Sequence, residues 1–372
     1  MTIASEITRI KTNIDNAYTA LEAKGATIPE TKNSANLAST VNTITGGSGE
    51  TNYLGRIVTE DGVFQFPTEN FTFSLPDNVT KIGENGLKYA FYNCSSLVSA
   101  DLSNITSIRY TGLYYTFFGC TGLISADLSN ITSIAEYGLR DTFRGCTNLI
   151  SVDLSNITSI NSHSLYETFY DCTSLTSTGL NNVTSIGDNG LYYAFNRCAG
   201  LTSIGLNNVT SIGDSGLQGA FQYCAGLTAV DLSKVTSIDR NGLDGTFERC
   251  TNLTSVDISN ITSINSQSLY GTFEYCTSLN SVNLSNVSSI DFYGLSNAFW
   301  GCTGLTSLSF PKLNSNSFGY YTNQFSGMLR NVTGCTVHFP SNLEAVIGSW
   351  SDVTSGFGGA NTTVLFDLPA TT

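Results

Sequence analysis

Nine cysteines recur at a fixed interval of 26 residues along the middle of this chain. They are Cys94, Cys120, Cys146, Cys172, Cys198, Cys224, Cys250, Cys276 and Cys302. Because no interval gains or loses a residue, the chain must repeat one structural turn of constant length. A unit this short cannot bury a core of its own, so neighbouring units must stack on one another. The spacing therefore predicts a solenoid.

Apolar residues occupy the same columns in each repeat. In the second repeat these columns hold Phe117, Cys120, Leu123, Leu128, Ile131, Ile134 and Leu139. Residues 123–128 alternate as a short strand with one buried face does, so stacked turns should form a parallel sheet. The segment GLYYTFFGC, residues 112–120, has helix-like spacing and predicts one or two helical or 3₁₀ turns on the opposite side. The expected fold is an α/β solenoid.

The signatures F-x-x-C-[TSA]-x-L and N-[IV]-T-S-I resemble those of BspA-like leucine-rich repeats, which occur in bacterial surface and phage-associated proteins. That family carries I-G-x-x-A-F-x-x-C-x-x-L, and residues 79–310 carry the resemblance here. The resemblance implies a leucine-rich-repeat-type stack and roles in adhesion and binding. The motif G-L-Y-Y-[TA]-F stands here where I-G-x-x-A-F is usual, so the shape of the outer edge stays open.

Five segments are predicted. Residues 1–45 form a helical attachment or oligomerisation segment, 46–52 a flexible linker, 53–78 a β-rich N-terminal cap, 79–310 the solenoid, and 311–372 a β-rich C-terminal cap. The linker reads GGSGETN, which is typical of flexible segments. A solenoid needs its last apolar face covered, and the alternating VHF at 337–339 and VLF at 364–366 suit that purpose.

The first helix carries a heptad seam. Its apolar residues are Ile3, Ile7, Ile10, Ile14, Ala17 and Leu21. Isoleucine at both seam positions favours a three-stranded coiled coil. Alternatively, Leu37, Val41 and Ile44 of a second helix cover the same stripe within one molecule as a helical hairpin. The sequence leaves the trimer and the hairpin open.

Several functional classes are disfavoured. The net charge of −13 argues against nucleic-acid binding, and no apolar run is long enough to insert in a membrane. The cysteines lack the clustered pairs of zinc sites, so we expect no metal and instead buried free thiols. The GDSG at 213–216 is a turn variant of GENG and GDNG in other repeats, and only two histidines exist to form a catalytic triad. We expect neither a cofactor nor enzyme activity.

Two polar columns allow structural interpretations. The Asn of the repeated N-I-T and N-V-T triplets matches glycosylation sequons, but an asparagine hydrogen-bond ladder is the preferred interpretation. The aspartates at 101, 127, 153, 231 and 257 could hold a cation weakly, although a solvated strand face is favoured. Cys335 lies outside the 26-residue spacing and could differ from the other thiols.

The positions that vary between repeats are rich in aromatic residues. Of 18 tyrosines, 14 fall in three variable slots of the repeat, Tyr89 and Tyr92 among them. A fixed frame that presents Tyr, Arg and Trp suits a recognition surface, because these residues dominate binding hot spots. The candidate binding residues are Tyr110, Tyr114, Tyr115, Phe118, Tyr137, Arg140, Arg144, Tyr166, Tyr170, Tyr192, Tyr193, Arg197, Tyr223, Tyr270, Tyr275, Tyr293 and Trp300.

Residues 1–45 resemble the leading segment of tail-associated proteins from phages of Firmicutes. This resemblance implies a non-enzymatic receptor-binding protein of a phage or phage-like tail, localised to the virion. Its expected partners are a host cell-surface glycan or protein, other tail proteins through the N-terminus, and copies of itself in a trimer. The alternative is a bacterial surface adhesin or scaffold, against which we count the lack of a signal peptide at the N-terminus.

Overall fold

The structure, a computed structural model, describes residues 68–318 and 323–371 together with the backbone of Ile57–Val58 and Phe64–Gln65. The predicted heptad residues Ile3, Ile7, Ile10, Ile14 and Leu21, and the linker, lie outside the described residues. The molecule divides into two compact units, Met1–Ser74 and Leu75–Thr372. In the first unit, Ile57–Val58 pairs antiparallel with Phe64–Gln65, and Phe71–Ser74 is a further strand. The second unit is the predicted solenoid.

The turns of the solenoid form two ladders of parallel strands, and most turns contribute a strand to both. The long-strand ladder comprises Leu97–Asp101, Ser125–Asp127, Ser151–Val152, Ala229–Asp231, Ser255–Asp257, Ser281–Val282, Ser307–Ser309, Thr336–Pro340 and Thr363–Leu368. The short-strand ladder comprises Lys81–Ile82, Ser107–Ile108, Ser133–Ile134, Ser159–Ile160, Ser185–Ile186, Ser211–Ile212, Ser237–Ile238, Ser263–Ile264 and Ser289–Ile290. Pairs such as Ala100↔Ala126 and Ile108↔Ile134 keep each residue opposite its equivalent in the next turn.

The long-strand ladder is interrupted at the turns that carry Gly179 and Gly205, where the aspartate column also stops. Gly179 adopts a left-handed conformation (φ 71°), and a 3₁₀ turn at Leu180–Asn182 follows it. Glycine weakens a strand because it has no side chain to pack. The replacement of aspartate by glycine in this column therefore accounts for the loss of the strand.

Stacked ladders of identical side chains fill the core. Nine phenylalanines, one per turn from Phe91 to Phe299, are fully buried, with ring centroids 5.2 to 5.8 Å apart and interplanar angles of 3 to 13°. Leucine and isoleucine ladders lie beside them, and Leu128, Ile131 and Ile134 are all buried. Each turn thus covers the apolar face that its neighbour exposes.

The cysteines are buried free thiols, as predicted. From Cys120 to Cys302, each Sγ donates to the carbonyl oxygen of a phenylalanine 29 residues earlier at 2.9 to 3.1 Å. Burial raises the pKa of these thiols, to about 12 for Cys250, so they stay protonated donors. Cys335 is equally buried, and burial raises its pKa to about 11.

The side opposite the long strands is not helical, which corrects the prediction of helical or 3₁₀ turns. We call this side the turn ribbon; it spans residues 83–94 in the first turn and the equivalent twelve residues in each later turn. At 112–120, Tyr114, Thr116 and Phe118 donate backbone N–H groups three residues back, which closes successive β-turns. The residues between them donate to the next turn, as in Tyr115 N–H to Arg140 O at 3.2 Å.

Every fourth residue of the turn ribbon is left-handed. In the second turn these are Thr111, Tyr115 and Gly119, at φ 50°, 55° and 67°. An α-helix has a negative φ throughout and satisfies its N–H groups internally, so it could not bond to the neighbouring turn. The left-handed residues orient every second backbone N–H towards a carbonyl oxygen of the next turn. Holding a residue such as Tyr115 there costs about 1 kcal/mol, which the added inter-turn hydrogen bonds offset.

The C-terminal residues continue the stack with longer and less regular turns. Thr336–Pro340 pairs in parallel with Ser307–Ser309, and Thr363–Leu368 pairs with Thr336–Pro340. The remaining elements here are two α-helical turns, Glu344–Ile347 and Ser351–Thr354, and two 3₁₀ turns, Ser341–Leu343 and Gly356–Gly358. Both alternating segments noted in the sequence, at 337–339 and 364–366, are strands.

We predict that Leu128→Ala lowers the free energy of unfolding by about 2 to 5 kcal/mol, because it leaves a cavity in a continuous leucine ladder. Chemical denaturation followed by circular dichroism measures this loss. Ser125→Ala, at an exposed position of the adjacent strand, is the control and should change stability by less than about 0.5 kcal/mol. Equal losses in the two variants would contradict the ladder as the source of stability.

Candidate recognition surface on the turn ribbon

All of the candidate binding residues lie on the turn ribbon. They fall into columns along the stack, in which equivalent residues of adjacent turns are 26 positions apart. The side chains of one column contact each other from turn to turn. Residues that change between repeats are therefore neighbours in space, and each must fit the residue above and below it.

One column alternates rings and cations. Lys88 Nζ lies 4.9 Å from the centroid of the Tyr114 ring, and Arg140 lies 5.6 Å from Tyr114 and 4.5 Å from Tyr166. Tyr166 stacks on Tyr192 at 4.5 Å. Cation–π contacts of this kind are worth about 0.5 to 2 kcal/mol each. This column therefore holds its side chains in place by stacking.

A parallel column repeats the same arrangement. Tyr92 stacks on Phe118 at 4.9 Å, and Arg144 lies between Phe118 at 5.9 Å and Tyr170 at 4.3 Å. In the neighbouring column, one position later in the repeat, Arg197, Tyr223, Arg249 and Tyr275 alternate at 4.6 to 5.6 Å. At the far end of the turn ribbon, Trp300 lies between Tyr275 and Arg330.

Two carboxylates anchor the arginines. Asp141 is 1% exposed, and its oxygens lie 3.3 Å from both Arg140 Nε and Arg144 Nη1. Arg144 Nη1 also pairs with Glu167 of the next turn. Burial raises the pKa of Asp141, and the two guanidinium groups partly oppose this effect. The four charged groups therefore link two successive turns of the candidate surface.

The tyrosines differ in the fraction of the side chain that is exposed to solvent. Tyr110 is 46% exposed, Tyr89 42%, Tyr223 39% and Tyr92 37%. Tyr114, Tyr115, Tyr166 and Tyr170 are half-buried. Burial raises the pKa of Tyr193 to about 12, so its hydroxyl remains a donor at neutral pH. Because ring faces are largely occupied by column neighbours, the surface presents ring edges and hydroxyl groups.

Tyr137, Tyr270 and Tyr293 complete the set. Tyr137 packs against Tyr110 and His163, Tyr270 accepts a hydrogen bond from Asn297 Nδ2 at 3.0 Å, and Tyr293 packs against Phe292. Sequence reasoning missed Lys88, Asp141, His163, Glu167, Arg249 and Arg330. These residues, Arg330 apart, occupy the same columns as the tyrosines, so comparing each variable residue with the one 26 positions away would have found them.

The opposite faces carry ladders with structural roles. Asn130, Asn156, Asn182 and Asn208 donate Nδ2 to a carbonyl oxygen 27 residues earlier at 2.6 to 2.7 Å, which confirms the predicted asparagine ladder. Each aspartate of the strand column accepts a backbone N–H two residues on, as Asp101 does from Ser103 at 3.0 Å. Hydrogen bonds from the side chain and then from the backbone N–H of Ser103 and Ser233 lower the pKa of Asp101 and Asp231. The aspartates therefore stabilise the turns that follow the strands.

Residues 68–318 and 323–371 contain neither a metal-binding cluster nor a membrane-spanning helix. In these ranges no three or more His, Cys, Asp or Glu side chains are grouped so as to hold a metal ion. No helix there combines the length and apolar character needed to cross a bilayer.

The family profile described as "BspA type leucine rich repeat region (6 copies)" matches residues 59–189, 166–293 and 245–346. These overlapping matches cover well over half of the chain. The chain belongs to the BspA-type leucine-rich repeat family. Among curated protein sequences, none matches this BspA-type protein significantly. The match indicates no enzyme family, and it suggests a role in recognition or adhesion.

Solved structures similar to this BspA-type protein include other leucine-rich repeat proteins. One from Bacteroides ovatus is 20% identical over 79% of this chain and 83% of its own, with a TM-score of 0.39. The pneumococcal vaccine antigen PcpA is 13% identical over 82% and 91%, with a TM-score of 0.34. An internalin from Listeria monocytogenes is 12% identical over 77% and 80%, with a TM-score of 0.28.

We predict that Arg144→Ala destabilises this protein by about 1 to 2 kcal/mol near pH 7, because Asp141 keeps only one cation partner. The loss should shrink towards pH 4, since a protonated carboxyl no longer needs that partner. Urea denaturation at several pH values measures both effects. The control is Arg197→Ala, whose exposed guanidinium is 3.8 Å from Asp171 and should contribute less than about 0.5 kcal/mol.

Proposed function

We propose that this protein is a non-enzymatic recognition protein whose turn ribbon contacts a glycan or protein on a host cell surface. The observation that supports this most is the clustering of Tyr, Arg and Trp on one face of a rigid stack. Tyrosine and arginine give large contact area and hydrogen bonds at a low entropic cost. A drifting exposed surface would be richer in Lys, Glu and Ser.

Column packing would make the surface efficient at binding. The rings and guanidinium groups are already held by their neighbours, as Arg144 is by Phe118, Tyr170 and Asp141. Side chains fixed before binding lose little rotamer freedom when a partner arrives. Hydroxyl groups such as that of Tyr193, which is protonated at neutral pH, would donate to hydroxyl or carbonyl oxygens of the partner.

The more specific proposal is a receptor-binding protein of a phage or phage-like tail. It rests on the resemblance of residues 1–45 to tail-associated proteins of Firmicutes phages. On this proposal the N-terminal segment attaches to other tail proteins and forms a trimer, and the solenoid reaches the receptor. Three linked copies would strengthen weak single contacts through effective concentration. A bacterial surface adhesin of the same repeat class is the competing assignment.

We predict that Tyr110→Ser combined with Tyr223→Ser reduces binding of the labelled protein to cells at least tenfold, because two exposed aromatic contacts are lost. Flow cytometry on a panel of Gram-positive bacteria measures this binding. The matched control is Ile124→Ser with Ile150→Ser, which removes two equally exposed apolar side chains outside the turn ribbon. Binding that falls equally in both double variants, or in neither, would contradict recognition by the turn ribbon.

The receptor class can be separated in the same assay. Oxidation of cell-surface sugars with periodate should abolish binding if the receptor is a glycan, and protease treatment should abolish it if the receptor is a protein. If binding survives both treatments, the receptor on these cells is neither a glycan nor a protein, which would contradict the proposal.

We further predict that the full-length protein sediments as a trimer at micromolar concentration and that Ile7→Asp with Ile14→Asp converts it to a monomer. Charged residues at seam positions disrupt a coiled coil. Analytical ultracentrifugation checks this, with circular dichroism to show that the solenoid stays folded. A wild-type monomer would reject the trimer and favour the helical hairpin.

A further inference from the structure

Three carboxylates cluster on the turn ribbon in the seventh and eighth repeats. Asp244 and Glu248 lie on one turn, and Glu274 follows Glu248 in the same column on the next turn. Gln218 Nε2 donates to Asp244 Oδ2 at 3.0 Å, and Gln222 donates to Glu248. We call Asp244, Glu248 and Glu274 the acidic triplet.

The acidic triplet has fewer cation partners than the carboxylates nearer the N-terminus. Asp141 and Glu167 share two arginines, Arg140 and Arg144. Among the described residues, the one ion pair made by the triplet joins Arg249 Nε to Glu248 at 3.4 Å. Arg249 is also shared with the rings of Tyr223 and Tyr275. Three acids and one paired cation leave an excess of negative charge in a half-buried setting.

Two glycines next to the triplet reduce the packing of the turn ribbon. Gly245 and Gly271 are left-handed, at φ 57° and 55°. Earlier turns carry Tyr115, Asp141 and Glu167 at this position. A Cβ atom added at Gly245 would approach only Glu248 Oε2, at 3.9 Å, and one at Gly271 only Glu274 Oε2, at 3.5 Å. Around these glycines the turns are joined by backbone hydrogen bonds with few side-chain contacts beside them. Segments with few such contacts open more easily than the rest of a structure.

The electrostatic environment of the triplet agrees with this geometry. Burial and then the charge of Glu248 raise the pKa of Asp244 to about 7. The same two causes raise the pKa of Glu274 to about 7, although Arg249 and Arg330 oppose them. A carboxyl with a raised pKa in the folded protein is more stable when protonated.

We propose that the acidic triplet makes the turn ribbon of the seventh and eighth repeats a pH-sensitive element, closed when Asp244 and Glu274 are protonated and loosened when both are ionised. This element is independent of the proposed function, since its opening does not require a partner.

The direction of the pH dependence follows from linkage. Between the ordinary pKa of a carboxyl, 3.8 or 4.5, and about 7, the closed ribbon binds more protons than the opened ribbon does. Raising the pH through this interval therefore destabilises the closed state, and the loss is complete above about pH 7. The groups that face the triplet are the side chains of Gln218, Gln222, Tyr192, Tyr193, Arg249 and Arg330 and the buried thiols of Cys276 and Cys302. None of these side chains is an imidazole or a carboxyl that could oppose this dependence.

Hydrogen exchange detected by mass spectrometry on the full-length protein tests the proposal. We expect amides of residues 241–250 and 267–276 to exchange about tenfold faster at about pH 8 than at about pH 5.5, after correction for intrinsic exchange rates; one pKa unit corresponds to a factor of ten. Residues 111–120 and 189–198, equivalent segments that contain no carboxylate or histidine, are the internal control and should change less than about twofold.

Two variants assign the effect to the triplet. Glu274→Gln and Asp244→Asn keep the shape and polarity of the side chains and remove the ionisation, so each should reduce the pH dependence of residues 241–250 and 267–276. Glu167→Gln is the matched variant outside the triplet and should leave it unchanged. A pH dependence that is equal in all four segments, or one that survives in both triplet variants, would overturn the proposal.

Discussion

Hydrogen bonding between successive turns is the constraint on which the rest of this structure depends. In both strand ladders a residue pairs with its equivalent 26 positions away, as Ile108 does with Ile134. On the turn ribbon the donor and acceptor are 25 positions apart, as in Leu113 N–H to Gly138 O. One inserted residue would break all three sets of bonds at once. This requirement explains why nine turns keep one length, and why Phe, Leu and Cys form continuous ladders within them.

The turn ribbon satisfies the same constraint at the cost of backbone strain. Left-handed backbone suits Asn and Gly, yet Tyr115, Asp141, Glu167 and Tyr193 all occupy it. Their presence indicates that contacts along the column outweigh the strain. Tyr115 stacks on Tyr89 at 5.3 Å, and Asp141 binds two arginines. Each variable residue of the repeat is thus coupled to the equivalent residue one turn away. A substitution in one turn therefore alters the side-chain packing of the next turn.

The parts of the structure that were predictable from sequence are those with a strong periodic signal. The solenoid, its parallel strands, the buried thiols and the asparagine ladder all follow from apolar and polar columns at 26-residue spacing. The turn ribbon did not follow, because its apolar residues have a spacing that a short helix also has. Asn85, Asn93 and Gly119 were the available indication, since residues tolerant of left-handed backbone recur there every fourth position. Local composition cannot reveal bonds to the neighbouring turn.

The same limit applies to the candidate surface. The sequence predicts which residues vary, but the partners of Arg140 and Arg144 are visible only once the turns are stacked. Stacking also reveals a contrast between the two halves of the turn ribbon. Around Asp141 and Glu167, acids and arginines balance, and the rings are held by cations. Around Asp244 and Glu274, acids outnumber paired cations, and glycines replace bulky side chains. One backbone frame thus supports a rigid segment and a segment whose order depends on proton concentration, and the difference comes entirely from residues that the frame leaves free to vary.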